Sequence, residues 1–65
     1  MGDTVRELRE AKGLTQAQLA ERAQIALSYI TVIEAGQQGS TPRQILQRLA
    51  RALDVTAKDL LEPEG

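Results

Sequence analysis

The side chains of this 65-residue chain that could do chemistry are carboxylates, guanidinium and ammonium groups, amides and hydroxyls, because histidine and cysteine are both absent. The commonest catalytic base and the thiolate metal ligands are therefore missing. The sequence also contains no glycine-rich phosphate loop and no carboxylate pair placed to frame a cleft. We expect no enzyme activity, no cofactor and no metal site.

The charges are nearly balanced in number but unevenly placed. Eight basic and nine acidic residues give a net charge of −1. A protein that binds nucleic acid usually carries a basic surface, so this balance argues against binding by charge alone. Between Leu14 and Pro42 the charged residues are Glu21, Arg22 and Glu34. Any site in the middle of the chain must therefore use mainly uncharged side chains.

The length of the chain allows one domain with a small core, and we expect residues 1–65 to form it. No apolar run approaches the roughly 18 residues of a membrane span, and the N-terminus lacks the basic and apolar regions of a signal peptide. We therefore expect a soluble protein of the cytoplasm with no membrane partner.

The elements that must position the polar residues are predicted to be five short helices. Apolar residues recur at helical spacing, and capping residues mark most helix starts. These caps are Thr4 with Glu7, Thr15 with Gln18, Thr41 before Pro42, and Thr56 with Asp59. The predicted helices span about 4–12, 16–23, 27–35, 42–53 and 57–62. The predicted fold class is all-α.

The connection between the second and third helices is the most informative one. Gln24, Ile25 and Ala26 form a three-residue turn, which forces the two helices to meet at a steep angle. Ala20, Ile25 and Ile30 would fill the elbow between them. This arrangement is typical of a helix-turn-helix unit.

The motifs along the chain resemble a known family. They are Leu8-Arg9, Gly13-Leu14-Thr15-Gln16, Leu19-Ala20, Tyr29-Ile30, Ile33-Glu34, Gly36 and Leu49-Ala50-Arg51-Ala52-Leu53. Together they resemble the lambda-repressor/Cro-like (XRE-type) helix-turn-helix DNA-binding domains over about residues 4–61.

The resemblance implies roles in binding double-stranded DNA. The third helix would lie in the major groove, and Gln16 would approach a phosphate at the start of the second helix. The implied base contacts are Ala26, Leu27, Ser28, Thr31 and Val32. The implied phosphate contacts are Gln16, Arg22, Gln37, Gln38, Ser40, Thr41 and Arg43, although Arg22 could equally pair with a neighbouring acid.

Two further roles concern architecture and assembly. Arg9 and Glu34 match a family ion pair that joins the first helix to the third and fixes their relative orientation. A domain this small contacts few bases, so we expect a homodimer on a palindromic operator. Leu60 and Leu61 on the fifth helix are the expected dimer contacts.

The sequence departs from the family in three places. Gln24 stands where glycine is common, and the loop after Gly36 is one residue longer than usual. The third helix also carries Leu27, Val32 and Ala35 at positions that are often basic. It therefore cannot make the bidentate contact between arginine and guanine.

This departure leaves two interpretations open. In the first, the domain is a transcriptional regulator, most simply a repressor, which contacts bases through methyl and hydroxyl groups. In the second, the fold is a protein–protein interaction module whose third helix presents an apolar face to a partner. Thr15-Gln16, the loop Gln37-Gln38-Gly39-Ser40 and Arg43 favour DNA binding.

Overall fold

The computed structural model describes residues 2–37 and 41–61 of the chain. This part contains five helices and no strand. They are α1 (Gly2–Ala11), α2 (Gln16–Ala23), α3 (Leu27–Glu34), α4 (Arg43–Ala52) and α5 (Ala57–Leu61). The predicted all-α fold and the order of the helices are confirmed. None of the helices in these ranges is long and apolar enough to cross a membrane.

Helix α1 begins at Gly2, two residues before the predicted start. Thr4 is helical rather than an N-cap, so the predicted capping box of Thr4 with Glu7 is wrong. The reason is a tertiary contact. A Cβ atom on Gly2 would lie 2.5 Å from the carbonyl oxygen of Ile33, which shows how closely the first turn of α1 packs against the end of α3.

Two of the other predicted caps are present. The Thr15 hydroxyl accepts from the Gln18 backbone N–H at 3.0 Å, and the Gln18 side chain accepts from the Thr15 N–H at 2.8 Å. Thr56 and Asp59 exchange the same two bonds at the start of α5. Helix α4 differs, because Pro42 rather than Thr41 is its N-cap and makes no side-chain capping bond.

The first four helices end in the same Schellman motif. A residue in the left-handed region follows each helix, and the next backbone N–H reaches back to a carbonyl five residues earlier. The four left-handed residues are Gly13, Gln24, Gly36 and Asp54, with φ between 58° and 75°. The returning bonds are Leu14 to Arg9, Ile25 to Ala20, Gln37 to Val32 and Val55 to Ala50.

The core lies where α2, α3 and α4 meet, with α1 packed on α3 and α5 packed on α4. The predicted elbow forms, since Ala20 and Ile30 are buried and Ile25 packs against them. Leu60 is 1% exposed in this core. Its predicted dimer contact is therefore wrong, because the side chain is used within the monomer. Leu61 is 58% exposed.

We expect Gln24→Gly to raise the free energy of unfolding by about 1 kcal/mol, because Gln24 has φ 58° and only glycine adopts that region without steric strain. The backbone hydrogen bonds of the turn do not depend on the side chain. Gln47→Gly at an exposed position within α4 is the matched control, and it should lower stability by roughly 0.5–1 kcal/mol. Urea unfolding followed by circular dichroism measures both. Destabilisation by Gln24→Gly would contradict the argument.

Candidate nucleic-acid interface

An ion pair between α1 and α3 is the framework of the candidate site. Arg9 donates from Nε to Glu34 Oε2 at 2.7 Å and from Nη2 to Glu34 Oε1 at 3.0 Å. It also donates from Nη1 to the carbonyl oxygen of Leu14 at 2.7 Å. One guanidinium group therefore holds the end of α3 and the turn that leads into α2. This is the pair expected from the sequence.

Gln16 joins the same network. Its Nε2 donates to Glu34 Oε1 at 3.1 Å, so the first side chain of α2 is tied to the last residue of α3. The sequence predicted the Arg9–Glu34 pair and a phosphate role for Gln16 without linking them. Helical spacing carries no signal for this bond, since the two residues are 18 positions apart. The link fixes the side chain of Gln16 before any ligand arrives.

The electrostatics of the pair follow from its burial. The side chain of Glu34 is only 5% exposed and that of Arg9 is 11% exposed. Burial alone would raise the pKa of Glu34, but the hydrogen bonds from Arg9 and Gln16 and the positive charge of Arg9 outweigh it, so the pKa is lowered. The hydrogen bond to Glu34 likewise raises the pKa of Arg9 against the opposing effect of burial. Both groups are charged at neutral pH.

The start of α3 presents the predicted base-contacting residues. Ala26, Leu27, Ser28 and Thr31 are exposed, and Val32 is half-buried. The Thr31 hydroxyl donates its proton to the Leu27 carbonyl oxygen at 3.1 Å. The hydroxyl oxygen can therefore accept a hydrogen bond from a base but cannot donate one. Ser28 keeps a hydroxyl that can donate or accept. This face can make apolar contacts and a few hydrogen bonds, and it carries no charge.

The residues that would flank this face lie after α3 and at the start of α4. Gln37 and Arg43 are exposed, and Thr41 is half-buried. Gln38 and Ser40 were also predicted to contact phosphate, but both lie outside the described residues. Tyr29 packs against the core, as expected for a residue on the inner side of α3.

Arg22 lies on a different side of α2 from Gln16. The two residues are six positions apart on α2, which corresponds to about 9 Å along the helix and about 120° around it. Arg22 lines an open cleft between α2 and α4 together with Arg48 and Arg51. The structure thus brings Gln16 to α3, whereas Arg22 faces another element.

Known proteins match both the sequence and this geometry. A family model described as a helix-turn-helix domain matches residues 1–62. This chain belongs to the helix-turn-helix domain family. The resemblance to the XRE-type members of that family is confirmed. A similar sequence is the HTH-type transcriptional regulator SinR of Bacillus subtilis, which is 34% identical over 62 residues, covering 95% of this chain and 56% of SinR.

Solved structures agree with this helix-turn-helix assignment. SinR in complex with DNA has a TM-score of 0.89 and 34% identity, covering 94% of this chain and all of that one. The restriction-modification controller protein C.AhdI of Aeromonas hydrophila has a TM-score of 0.86 and 38% identity, covering 92% and 89%. The chain spans about half the length of SinR, so the relative's full set of partners does not transfer with the fold.

We expect Glu34→Gln to lower the free energy of unfolding at pH 7 by about 3 kcal/mol, because it removes the buried carboxylate that pairs with Arg9 and leaves only the exposed carboxylate of Glu10, 3.8 Å away. The double variant Arg9→Met, Glu34→Leu is the control. It removes both charges, so it should be more stable than Glu34→Gln. Thermal unfolding by circular dichroism measures this order. If Glu34→Gln were as stable as wild type, the ion pair between Arg9 and Glu34 would not have the role proposed for it.

The variant Glu34→Gln also tests how the stability of the fold depends on acid pH. Since the folded pKa of Glu34 is below its ordinary value of 4.5, its charge stabilises the fold above pH 4.5, and that stability is lost as the pH falls through the folded pKa. The difference in stability between wild type and Glu34→Gln should therefore shrink below pH 4.5. A constant difference from pH 7 to pH 3 would show that the carboxylate charge is not responsible.

Proposed function

We propose that this domain binds double-stranded operator DNA in a sequence-specific manner and regulates transcription, most simply as a repressor. The observation that carries the proposal is the bond between Gln16 and Glu34, which joins the start of α2 to α3. Those are the two elements that contact phosphate and bases in helix-turn-helix complexes. The relative SinR, solved in complex with DNA, has the same fold at 34% identity.

The start of α2 suits a phosphate. Its capping box uses the N–H groups of Thr15 and Gln18, whereas the backbone N–H groups of Gln16 and Ala17 have no hydrogen-bond acceptor within the described residues. Two free N–H groups at the positive end of the helix dipole attract an anion. The tied side chain of Gln16 stands beside them. Gln37, Gln38, Ser40, Thr41 and Arg43 would hold the backbone on the other side of α3.

The major groove would be contacted by the exposed start of α3. Leu27 is 47% exposed and, with Val32 and Ala26, can touch the methyl groups of thymine. Ser28 can hydrogen-bond to a base edge, and the oxygen of Thr31 can accept a hydrogen bond. Because α3 has no lysine or arginine, few counterions are released from its contacts, and the salt dependence of binding should be shallow.

The domain would act as a homodimer in the bacterial cytoplasm or nucleoid. One copy contacts only a few base pairs, and a second copy doubles the footprint. Leu61, the large apolar side chain that α5 leaves exposed, is the contact we assign to this dimer. No metal or cofactor is needed for such binding.

We expect Gln16→Ala to weaken binding to all DNA sequences about equally, because it removes a phosphate contact, and Ser28→Ala to change base preference by about 1–3 kcal/mol at one position. Random-oligonucleotide selection followed by fluorescence anisotropy measures both. Gln47→Ala, an exposed amide on α4 outside the proposed contacts, is the matched control. Circular dichroism checks that each variant is folded.

Three outcomes of the selection would overturn parts of the proposal. Full affinity of a Gln16→Ala, Arg43→Ala double variant would contradict the docking geometry. Enrichment of a single half-site, rather than two half-sites about one helical turn apart, would contradict the dimer. No enriched motif at low salt would favour the alternative in which the exposed Leu27 face of α3 binds a protein.

A further inference from the structure

The cleft between α2 and α4 is a second surface that DNA binding does not explain. It has a volume of about 360 Å³ and is lined by three arginines and two alanines. Arg22 comes from the last turn of α2, and Arg48 and Arg51 lie three residues apart on one face of α4. Ala23 and Ala52 form a floor without long side chains.

None of these arginines forms an ion pair in the part of the chain that the structure describes. Arg22 acts on Asp54 only at longer range: the pKa of that carboxyl is lowered mainly by its bond to Lys12 and to a smaller extent by the charge of Arg22. The ion pairs of that part use other cations, namely Arg6, Arg9 and Lys12. Arg48 donates once, from Nη1 to the carbonyl oxygen of Gln24 at 3.3 Å, which leaves most of its N–H groups free. Three unpaired positive charges thus gather at one cleft in a chain whose net charge is −1.

The distribution of the charges indicates what would bind there. The guanidinium groups come from two helices rather than converging from one loop, so separate carboxylates along a chain suit them better than one compact anion. The alanine floor accepts the methylene groups of glutamate side chains. The C-terminal ends of α2 and α4 also lie at this cleft, and their partial negative charge opposes a dianion such as phosphate more strongly than it opposes a single carboxylate.

We propose that this cleft docks an acidic segment of a protein partner, whose aspartate or glutamate side chains pair with Arg22, Arg48 and Arg51. Arginine clusters recognise acidic motifs in this way. Because Arg22 lies about 120° around α2 from Gln16, the cleft stays open when DNA is bound at Gln16. The domain would then hold DNA and a protein at the same time, on different faces.

The test uses a fluorescent peptide of eight glutamates and two triple variants with the same change in net charge. The cleft variant is Arg22→Gln, Arg48→Gln, Arg51→Gln, and the control is Arg6→Gln, Lys12→Gln, Lys58→Gln. At low salt, wild type and control should bind the peptide with similar affinity. The cleft variant should bind about tenfold or more weakly, since it loses three charge pairs. Circular dichroism establishes that both variants fold.

A measurement on wild type keeps the test independent of variant folding. On addition of the peptide, NMR signals of Ala23, Ala52 and the three arginine Nε–H groups should shift, and those of Gln16 and Ser28 should not. Equal loss of binding in both triple variants, no peptide binding by wild type, or tighter binding of tripolyphosphate than of the peptide would each overturn the proposal. The proposal would also be overturned if the cleft variant still bound the peptide but no longer bound DNA, because the cleft would then contact DNA.

Discussion

The geometry of the domain depends on one buried carboxylate. Glu34 ends α3 and receives hydrogen bonds from Arg9 on α1 and Gln16 on α2, so three helices meet at a single charged group. A buried ion pair of this kind adds little net stability, because the cost of removing two charges from water offsets their attraction. Its contribution is directional, since the fork of Arg9 fits the carboxylate in one orientation only.

Helix ends impose the second constraint. The connections from α1 to α2, from α2 to α3 and from α4 to α5 are only three or four residues long, so the helix before each must stop abruptly and turn the chain away. The Schellman motif does this four times. Glycine supplies the left-handed residue at Gly13 and Gly36, whereas Gln24 and Asp54 adopt it at a steric cost. Asp54 gains an ion pair with Lys12 at 2.9 Å, which joins the end of α1 to the turn before α5.

The features that could be predicted from the sequence are those that depend on residues close together along the chain. The capping boxes at Thr15 and Thr56 and the three-residue turn at Gln24 are local, and all three are present. The start of α1 was misplaced because Gly2 packs against the end of α3, a contact that no local pattern records. Leu60 was misassigned for the same reason, because exposure depends on how α5 packs against α4.

The uncharged surface of α3 is consistent with this architecture. Binding by charge tolerates loose positioning, since the attraction between a lysine and a phosphate falls off gradually with distance. Contacts between methyl groups and bases, or from one serine hydroxyl, act only over van der Waals or hydrogen-bond distance. A helix that uses such contacts must therefore be held rigidly relative to the phosphate anchor. The bonds from Arg9 to Glu34 and to the Leu14 carbonyl supply that rigidity, so that in the proposed complex position rather than charge would be the source of specificity.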